Sequence, residues 1–269
     1  MFVQSTSTGN NDSLTDVVEG LVMHLENMPC DRDSISQESL DLANKFRTSL
    51  LPWRGQFSPE LIEIFLNAYS EATDVVFDPF VGSGTTLFEA ARKGLRGYGA
   101  EINPAAVEMS KTAQFAPLTL EERRAIIRDT EKRVKKYMRP LMQDLFSDLD
   151  QEPDTTLEFI DNPLLALIQE VADNIYSYNI VANTLIRYMS YKEPRSATDF
   201  MRALREHARV IESIPHTLNE YEVFHVDARS VPLSEGFVDI IITSPPYINV
   251  FNYHQNNRQA MEALGWNIL

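Results

Sequence analysis

Residues Asp74 to Thr86 read Asp-Val-Val-Phe-Asp-Pro-Phe-Val-Gly-Ser-Gly-Thr-Thr, and Leu87 to Lys93 follow at helical spacing. Val75, Val76 and Phe77 make a short apolar strand, and the Gly82-Ser83-Gly84 turn leads from it into a helix. Glycines at that place let the backbone turn tightly and come close to a ligand, with the helix N-terminus facing the same spot. The third glycine of a dinucleotide fingerprint is missing, and Thr85 and Thr86 stand where a phosphate loop needs its lysine. Polyphosphate binding is therefore disfavoured, and the Gly-x-Gly turn alone is weak evidence for a cofactor site.

Working outward, Gly97 to Ala100 form a second short strand ending at Glu101, and Asn103-Pro104 opens another helix. Glu101 lies 23 positions after Asp78, close to the spacing of roughly 20 at which an acid in a strand-helix-strand unit reaches ribose hydroxyls. The alternative is a solvated acid at a strand end. A third strand spans Glu222 to Val226 and ends at Asp227, which suits the exocyclic amine of an adenine ring and equally well a cap for the next turn. The fourth element, Phe237 to Tyr247, is an apolar β-branched run expected to be buried on both faces, ending in Thr-Ser-Pro-Pro-Tyr. Two prolines stiffen that end and remove two backbone donors, so Ser244 is held extended with the carbonyls of Ser244 and Pro245 beside Tyr247. This order specifies an α/β fold with ligands at the carboxyl ends of parallel strands.

Before the first strand, Ser58-Pro59 starts a helix with an apolar stripe at Leu61, Ile62, Phe65 and Leu66, either an ordinary capped helix or one whose N-terminus receives a carboxylate. Residues 1–45 form an acidic leader with eight acids against Arg32 and Lys45, and Val17, Val18, Leu21, Val22 and Leu25 suggest one packing helix. Residues 118–220 interrupt the alternation with helices expected at Leu120 to Met138, Leu164 to Met189 and Ala197 to Ile211, and a loop at Asp144 to Glu158. The first helix carries Arg123, Arg124, Arg128, Lys132, Arg133, Lys135 and Lys136, a run that reads as a solvated face or, less often, a phosphate contact. Arg187, Tyr188, Tyr191, Lys192 and Arg195 form a basic and aromatic mix suited to nucleic acid. The resulting division is 1–45 leader, 46–117 cofactor-binding half, 118–220 helical insertion and 221–269 continuation with the Ser-Pro-Pro-Tyr loop.

At 269 residues the chain can bury a sizeable core. Cys30 is the single cysteine, so no internal disulfide or Cys-x-x-Cys metal spacing exists, and no metal site is expected. The polar start and the lack of a long apolar run point to a cytoplasmic protein without a membrane span. A net charge of −15 confines any nucleic-acid contact to a local patch or to one shared with a partner.

Taken together, the Ser-Pro helix start, Asp-Pro-Phe-Val-Gly-Ser-Gly-Thr-Thr, two strand-end acids and Thr-Ser-Pro-Pro-Tyr resemble the S-adenosylmethionine-dependent methyltransferases that act on the amino groups of DNA bases. The resemblance covers Gln56 to about Asn252, apart from the insertion. It implies a Rossmann-like methyltransferase sheet, incomplete, with an all-helical insertion between the second and third strands. It further implies that Asp78, Phe80, Gly82, Gly84 and Thr85 bind S-adenosylmethionine, that Glu101 holds the ribose and Asp227 the adenine, and that Phe57 and Ser58 lie near the methionine carboxylate. Ser244, Pro245, Pro246 and Tyr247 match the catalytic loop. Serine at the loop's first position is more typical of cytosine-N4 than of adenine-N6 enzymes, and carbon-5 methylation is disfavoured because Cys30 precedes every motif. DNA is the implied partner, as in restriction–modification systems, with an RNA base or a non-catalytic cofactor-binding role as alternatives. Because so little sequence follows the loop, a second polypeptide completing the domain is expected.

Overall fold

The computed structural model describes residues 19–20, 22–23, 27, 34–41, 49–51, 53, 57–143, 162–245 and 257–266. Val17, Val18, Leu21, Leu25 and the loop 144–158 lie outside them. In chain order the elements are α1 (Gln37–Leu40), α2 (Pro59–Tyr69), β1 (Val75–Asp78), α3 (Thr85–Lys93), β2 (Arg96–Glu101), α4 (Pro104–Ser110), α5 (Leu120–Gln143), α6 (Asn162–Val171), α7 (Ile175–Met189), α8 (Ala197–Ser213), β3 (Tyr221–His225), β4 (Ile240–Ile241) and α9 (Arg258–Ala263). A 3₁₀ segment, Lys111–Phe115, follows α4.

The four strands among the described residues are parallel, in the order β3-β2-β1-β4. Strand order runs one way from β1 to β3 and the other way to β4, so the crevice between the carboxyl ends of β1 and β4 is a topological switch point, where open α/β sheets bind ligands. The alternation of side chains along β1 separates two cores. Val75 and Phe77 meet Tyr98 and Ala100 on one face, covered by Phe224, Val226, Val231, Leu233, Phe237 and Val238. Val76 faces Leu87 and Phe88 in a larger cluster that continues through Val107 and Phe115 to Ile180, Phe200 and Leu204 of the helical insertion.

Glycines in β2 permit this close packing. A Cβ on Gly99 would lie 2.8 Å from Val81, and one on Gly97 would lie 2.9 Å from the Tyr221 ring. The insertion is pinned to α4 by polar contacts as well as by the shared core: the side-chain amides of Asn179 and Asn183 donate to the carbonyl of Glu108 at 2.6 and 2.8 Å.

Two expectations change. The long helix expected from Leu164 to Met189 is two helices, broken at 172–174, where Asn174 caps α7 in a reciprocal capping box with Ser177. The apolar run 238–242 is not buried on both faces: only Ile240 and Ile241 join the ladder, and Ile241 is 63% exposed. β4 is an edge strand among the described residues, and the segment that covers the Phe77 face stops short of Ile241.

Candidate functional site

The carboxyl ends of the strands gather most of the residues singled out in the sequence. Asp78 ends β1, and Phe80, Gly82, Gly84 and Thr85 follow in the turn into α3. Gly82 (φ 51°) and Gly84 (φ 93°) take the left-handed conformation that side chains resist. Asp78 is 3% exposed and accepts three hydrogen bonds, from Phe80 N at 3.0 Å, Thr86 Oγ1 at 2.6 Å and Thr243 Oγ1 at 2.7 Å. Both its oxygens are therefore engaged within the chain, and its contribution to any ligand is to hold the turn rather than to reach out. Burial pushes the carboxyl up to about 6, against these donors, with Glu101 adding to the rise.

That shift has a measurable sign. Because the folded protein holds a proton that the unfolded chain releases near 3.8, the contribution of Asp78 to stability falls as pH rises from about 4 to about 6. Denaturant unfolding of wild type and Asp78→Asn across that window is expected to show wild type losing ground by roughly 3 kcal/mol at most. Parallel pH profiles would show that burial does not control this group.

Glu101 ties β2 to the same turn. One oxygen accepts Gly82 N at 3.1 Å, and the other accepts Ile102 N and Asn103 N, each at 2.8 Å. Burial raises its pKa while the three donors oppose the rise. A carboxylate has about four acceptor positions, so one stays open for a ligand hydroxyl. Ile102, next to it in the chain, and Phe80, at the start of the glycine turn, are 46% and 41% exposed, two apolar side chains open to solvent after the ends of β2 and β1. Ile102 was not singled out in the sequence; its place directly after a strand-end acid was the available signal.

Asp227 serves as the cap of the short turn after β3. It accepts Arg229 N at 2.9 Å and is gripped through both oxygens by the Arg229 guanidinium, which holds its carboxyl well below the usual carboxylate range. Both side chains are open to solvent, so the pair leaves the carboxylate reachable.

From the other side, residues near the chain start fold over the glycine turn. Thr85 Oγ1 donates to Ser49 Oγ at 3.3 Å, and Ser49 Oγ donates to the Phe57 carbonyl at 3.5 Å. A Cβ on Gly82 would come within 3.2 Å of the Trp53 ring, so Trp53 lies on the turn. Ser49 and Trp53 carry no recognisable motif and were missed in the sequence. Ser58 stands at the start of α2 as expected, but its hydroxyl donates to Glu60 at 2.6 Å and does not cap the helix.

Ser244 is half-buried at the end of β4, with no hydrogen bond to another described residue, and Pro245 is exposed. Pro246 and Tyr247 lie outside the described residues. The basic and aromatic mix at 187–195 is consumed by internal packing: Arg187 pairs with Glu206, Tyr191 donates to Glu206 at 2.7 Å, Tyr188 is buried edge-on to Phe200, and Arg195 bonds Gln259 at 3.0 Å. Lys192 alone of the five is exposed with no such partner among the described residues. These side chains hold α7, α8 and α9 together instead of facing nucleic acid.

The fit to S-adenosylmethionine rests on these features. Two left-handed glycines turn the backbone tightly at the strand end, a strand-end acid keeps an acceptor position, and Ile102 follows that acid with its apolar side chain exposed. No helix among the described residues is long and apolar enough to cross a membrane.

Comparison with known proteins agrees with this arrangement. Residues 34–112 match the sequence profile of the family described as DNA methylase, the N6/N4 methyltransferases. Type II methyltransferase M.MjaII of Methanocaldococcus jannaschii is 27% identical over 169 residues, covering 59% of this chain and 31% of the relative. Type II methyltransferase M.MvaI of Kocuria varians is 36% identical over 81 residues, covering 30% of this chain and 17% of the relative. The matched stretches thus span less than a third of either relative. No solved structure matches the chain.

Proposed function

We propose that this chain, which over residues 34–112 matches the DNA methylase family, transfers a methyl group from S-adenosylmethionine to the exocyclic amine of a DNA base, cytosine N4 in preference to adenine N6. The observation that carries this reading is adjacency at the switch point. The glycine turn after β1 and Ser244 after β4 sit at the carboxyl ends of neighbouring strands, so a donor held by the first faces an acceptor held by the second.

When bound, S-adenosylmethionine supplies an electrophilic methyl group on a sulfonium. The glycine turn, Trp53, Phe57, Phe80 and Ile102 would enclose it, with Glu101 on the ribose and Asp227 on the adenine. An exocyclic amine is a poor nucleophile because its lone pair is delocalised into the ring. Accepting the amine's N–H bonds on the Ser244 hydroxyl and on the carbonyl of Ser244 or Pro245 favours a pyramidal nitrogen whose lone pair points at the methyl carbon. Positioning of this kind lowers a barrier by roughly 7–11 kcal/mol. Tyr247 would stack on a base that has left the duplex at a cost of about a few kcal/mol. Serine at the loop's first position supports the cytosine preference. A second polypeptide finds no support in the structure or the relatives and forms no part of this reading.

The test incubates the chain with labelled S-adenosylmethionine and either duplex DNA or tRNA, then identifies the methylated nucleoside by mass spectrometry. N4-methylcytosine in DNA is expected. N6-methyladenine would correct the base, label confined to tRNA would correct the substrate, and no transfer to either would sink the reading. Ser244→Ala is expected to lower transfer by about 10²-fold, the order of one lost transition-state hydrogen bond, with S-adenosylhomocysteine affinity unchanged.

A further inference from the structure

We infer that Thr243 is a positioning residue: its hydroxyl, bonded to Asp78, fixes the strand end that carries Ser244 to the glycine turn. The inference rests on the function proposed above and names the part that keeps the two halves of the site in register.

The backbone alone does not do this. The ladder between β4 and β1 pairs only Ile240 and Ile241, flanked by the bonds from Asp239 N to Val75 O and from Ile242 N to Phe77 O, both at 3.1 Å, with Val75 N closing back on the Asp239 carboxylate at 2.8 Å. Past Ile242 no backbone bond to β1 follows among the described residues, and Pro245 and Pro246 have no N–H with which to make one. The contact nearest Ser244 is therefore the side-chain bond from Thr243 Oγ1 to Asp78 Oδ1 at 2.7 Å.

Asp78 is itself anchored, since Phe80 N of the turn and Thr86 Oγ1 of α3 donate to it and it is almost fully buried. One carboxylate thus joins three pieces of chain: the donor's turn, the helix behind it and the acceptor's loop. When ionised it only accepts hydrogen bonds, so both threonine hydroxyls must point their hydrogens inward, which fixes the rotation of each side chain. A displacement of about 1 Å in an in-line transfer costs about 10²-fold, so a tether one residue from Ser244 acts where geometry matters most.

Three variants test this: Thr243→Val removes the hydroxyl at constant shape, Thr243→Ser keeps it, and Thr243→Ala replaces the valine variant should that one not fold. Each is measured for S-adenosylhomocysteine affinity by calorimetry, for hydrogen exchange at the Ile242 amide with and without that ligand, and for methyl transfer to DNA. In Thr243→Val the Ile242 amide is expected to exchange about tenfold faster and to gain no protection on ligand binding. Transfer falls at least about tenfold through kcat, affinity stays within about twofold because the glycine turn keeps Thr86 and Phe80 N on Asp78, and Thr243→Ser behaves as wild type. Wild-type exchange and transfer in Thr243→Val, or no rescue by serine, would overturn the tether. A wild-type chain that binds no S-adenosylhomocysteine would instead overturn the proposed function, while the exchange comparison still judges the bond between strand and turn.

Discussion

Replacing Arg123 by alanine is expected to cost the fold about 3–5 kcal/mol, more than any surface charge can account for. Arg123 is 1% exposed, and its guanidinium meets no carboxylate among the described residues. Instead its five N–H groups find five carbonyls: Nε donates to Phe115 at 2.8 Å, one terminal nitrogen to Ile211 at 3.3 Å and to Ile214, and the other to Ala116 at 2.9 Å and Pro215 at 3.2 Å. Those carbonyls belong to the ends of the Lys111–Phe115 segment and of α8, where backbone acceptors run out of helical partners and carry partial negative charge. The Phe115, Ala116 and Ile211 carbonyls also accept Leu118 N, Thr217 N and Ile214 N, so alanine would leave those of Ile214 and Pro215 without a donor among the described residues, at about 1–3 kcal/mol each, and take a second, charged donor from the other three. Arg123→Met keeps most of the packing and isolates the polar loss, while Arg123→Lys keeps the charge with three donors in place of five. Urea unfolding followed by circular dichroism is expected to rank the losses as alanine largest, methionine next and lysine smallest. A loss below about 1 kcal/mol for alanine would show that the carbonyls are satisfied without the guanidinium.

Arg123 also marks where the sequence was readable and where it was not. It stands in a run of seven cations that reads as a solvated face or, less often, a phosphate contact. Yet it stands in phase with Ile127, Thr130, Val134 and Met138, the buried stripe of α5, and that periodicity was the signal that separates it from Arg128 or Lys132. A side chain's charge argues for the surface. What reversed the outcome is tertiary: the end of α8, some ninety residues later, supplies carbonyls that no local pattern displays.

Local signals fared better where one element needed nothing from another. The Gly-Ser-Gly turn, the Asn103-Pro104 helix start and the strand-end placement of Asp78, Glu101 and Asp227 all follow from short-range chemistry and stand in the structure. Partnerships were less legible. That Asp78 turns inward depends on Thr86 and on Thr243, 165 positions away, and that Asp227 is gripped by Arg229 depends on a rotamer. The exposure of Ile241 depends on where the covering segment ends, although the run Ile-Ile-Ile reads the same on an edge as in the middle of a sheet.

A second large effect is expected at Gly84, where alanine should cost roughly 2–5 kcal/mol. Three left-handed glycines make an internal comparison. Gly94 (φ 74°) closes α3 with nothing within 4 Å of a modest side chain, so Gly94→Ala carries the conformational cost alone, about 1–2 kcal/mol. At Gly82 (φ 51°) the added methyl group meets the Trp53 ring at 3.2 Å, a side chain that can move. At Gly84 (φ 93°) it would lie 2.9 Å from the Cα of Ser110, fully buried at the end of α4 with its hydroxyl bonded to the Val107 carbonyl at 3.0 Å. Backbone there cannot give way without shifting α4, so an overpacking cost of about 1–3 kcal/mol adds to the conformational one. Unfolding of the three variants should therefore show Gly84→Ala as the most destabilised. Gly82→Ala should instead lose chiefly S-adenosylhomocysteine affinity, because displacing Trp53 alters the wall of the site and leaves the core intact. Equal losses at Gly84 and Gly94 would mean that the Ser110 backbone yields. The close approach of α4 to the glycine turn would then be a consequence of the fold and not a requirement for it.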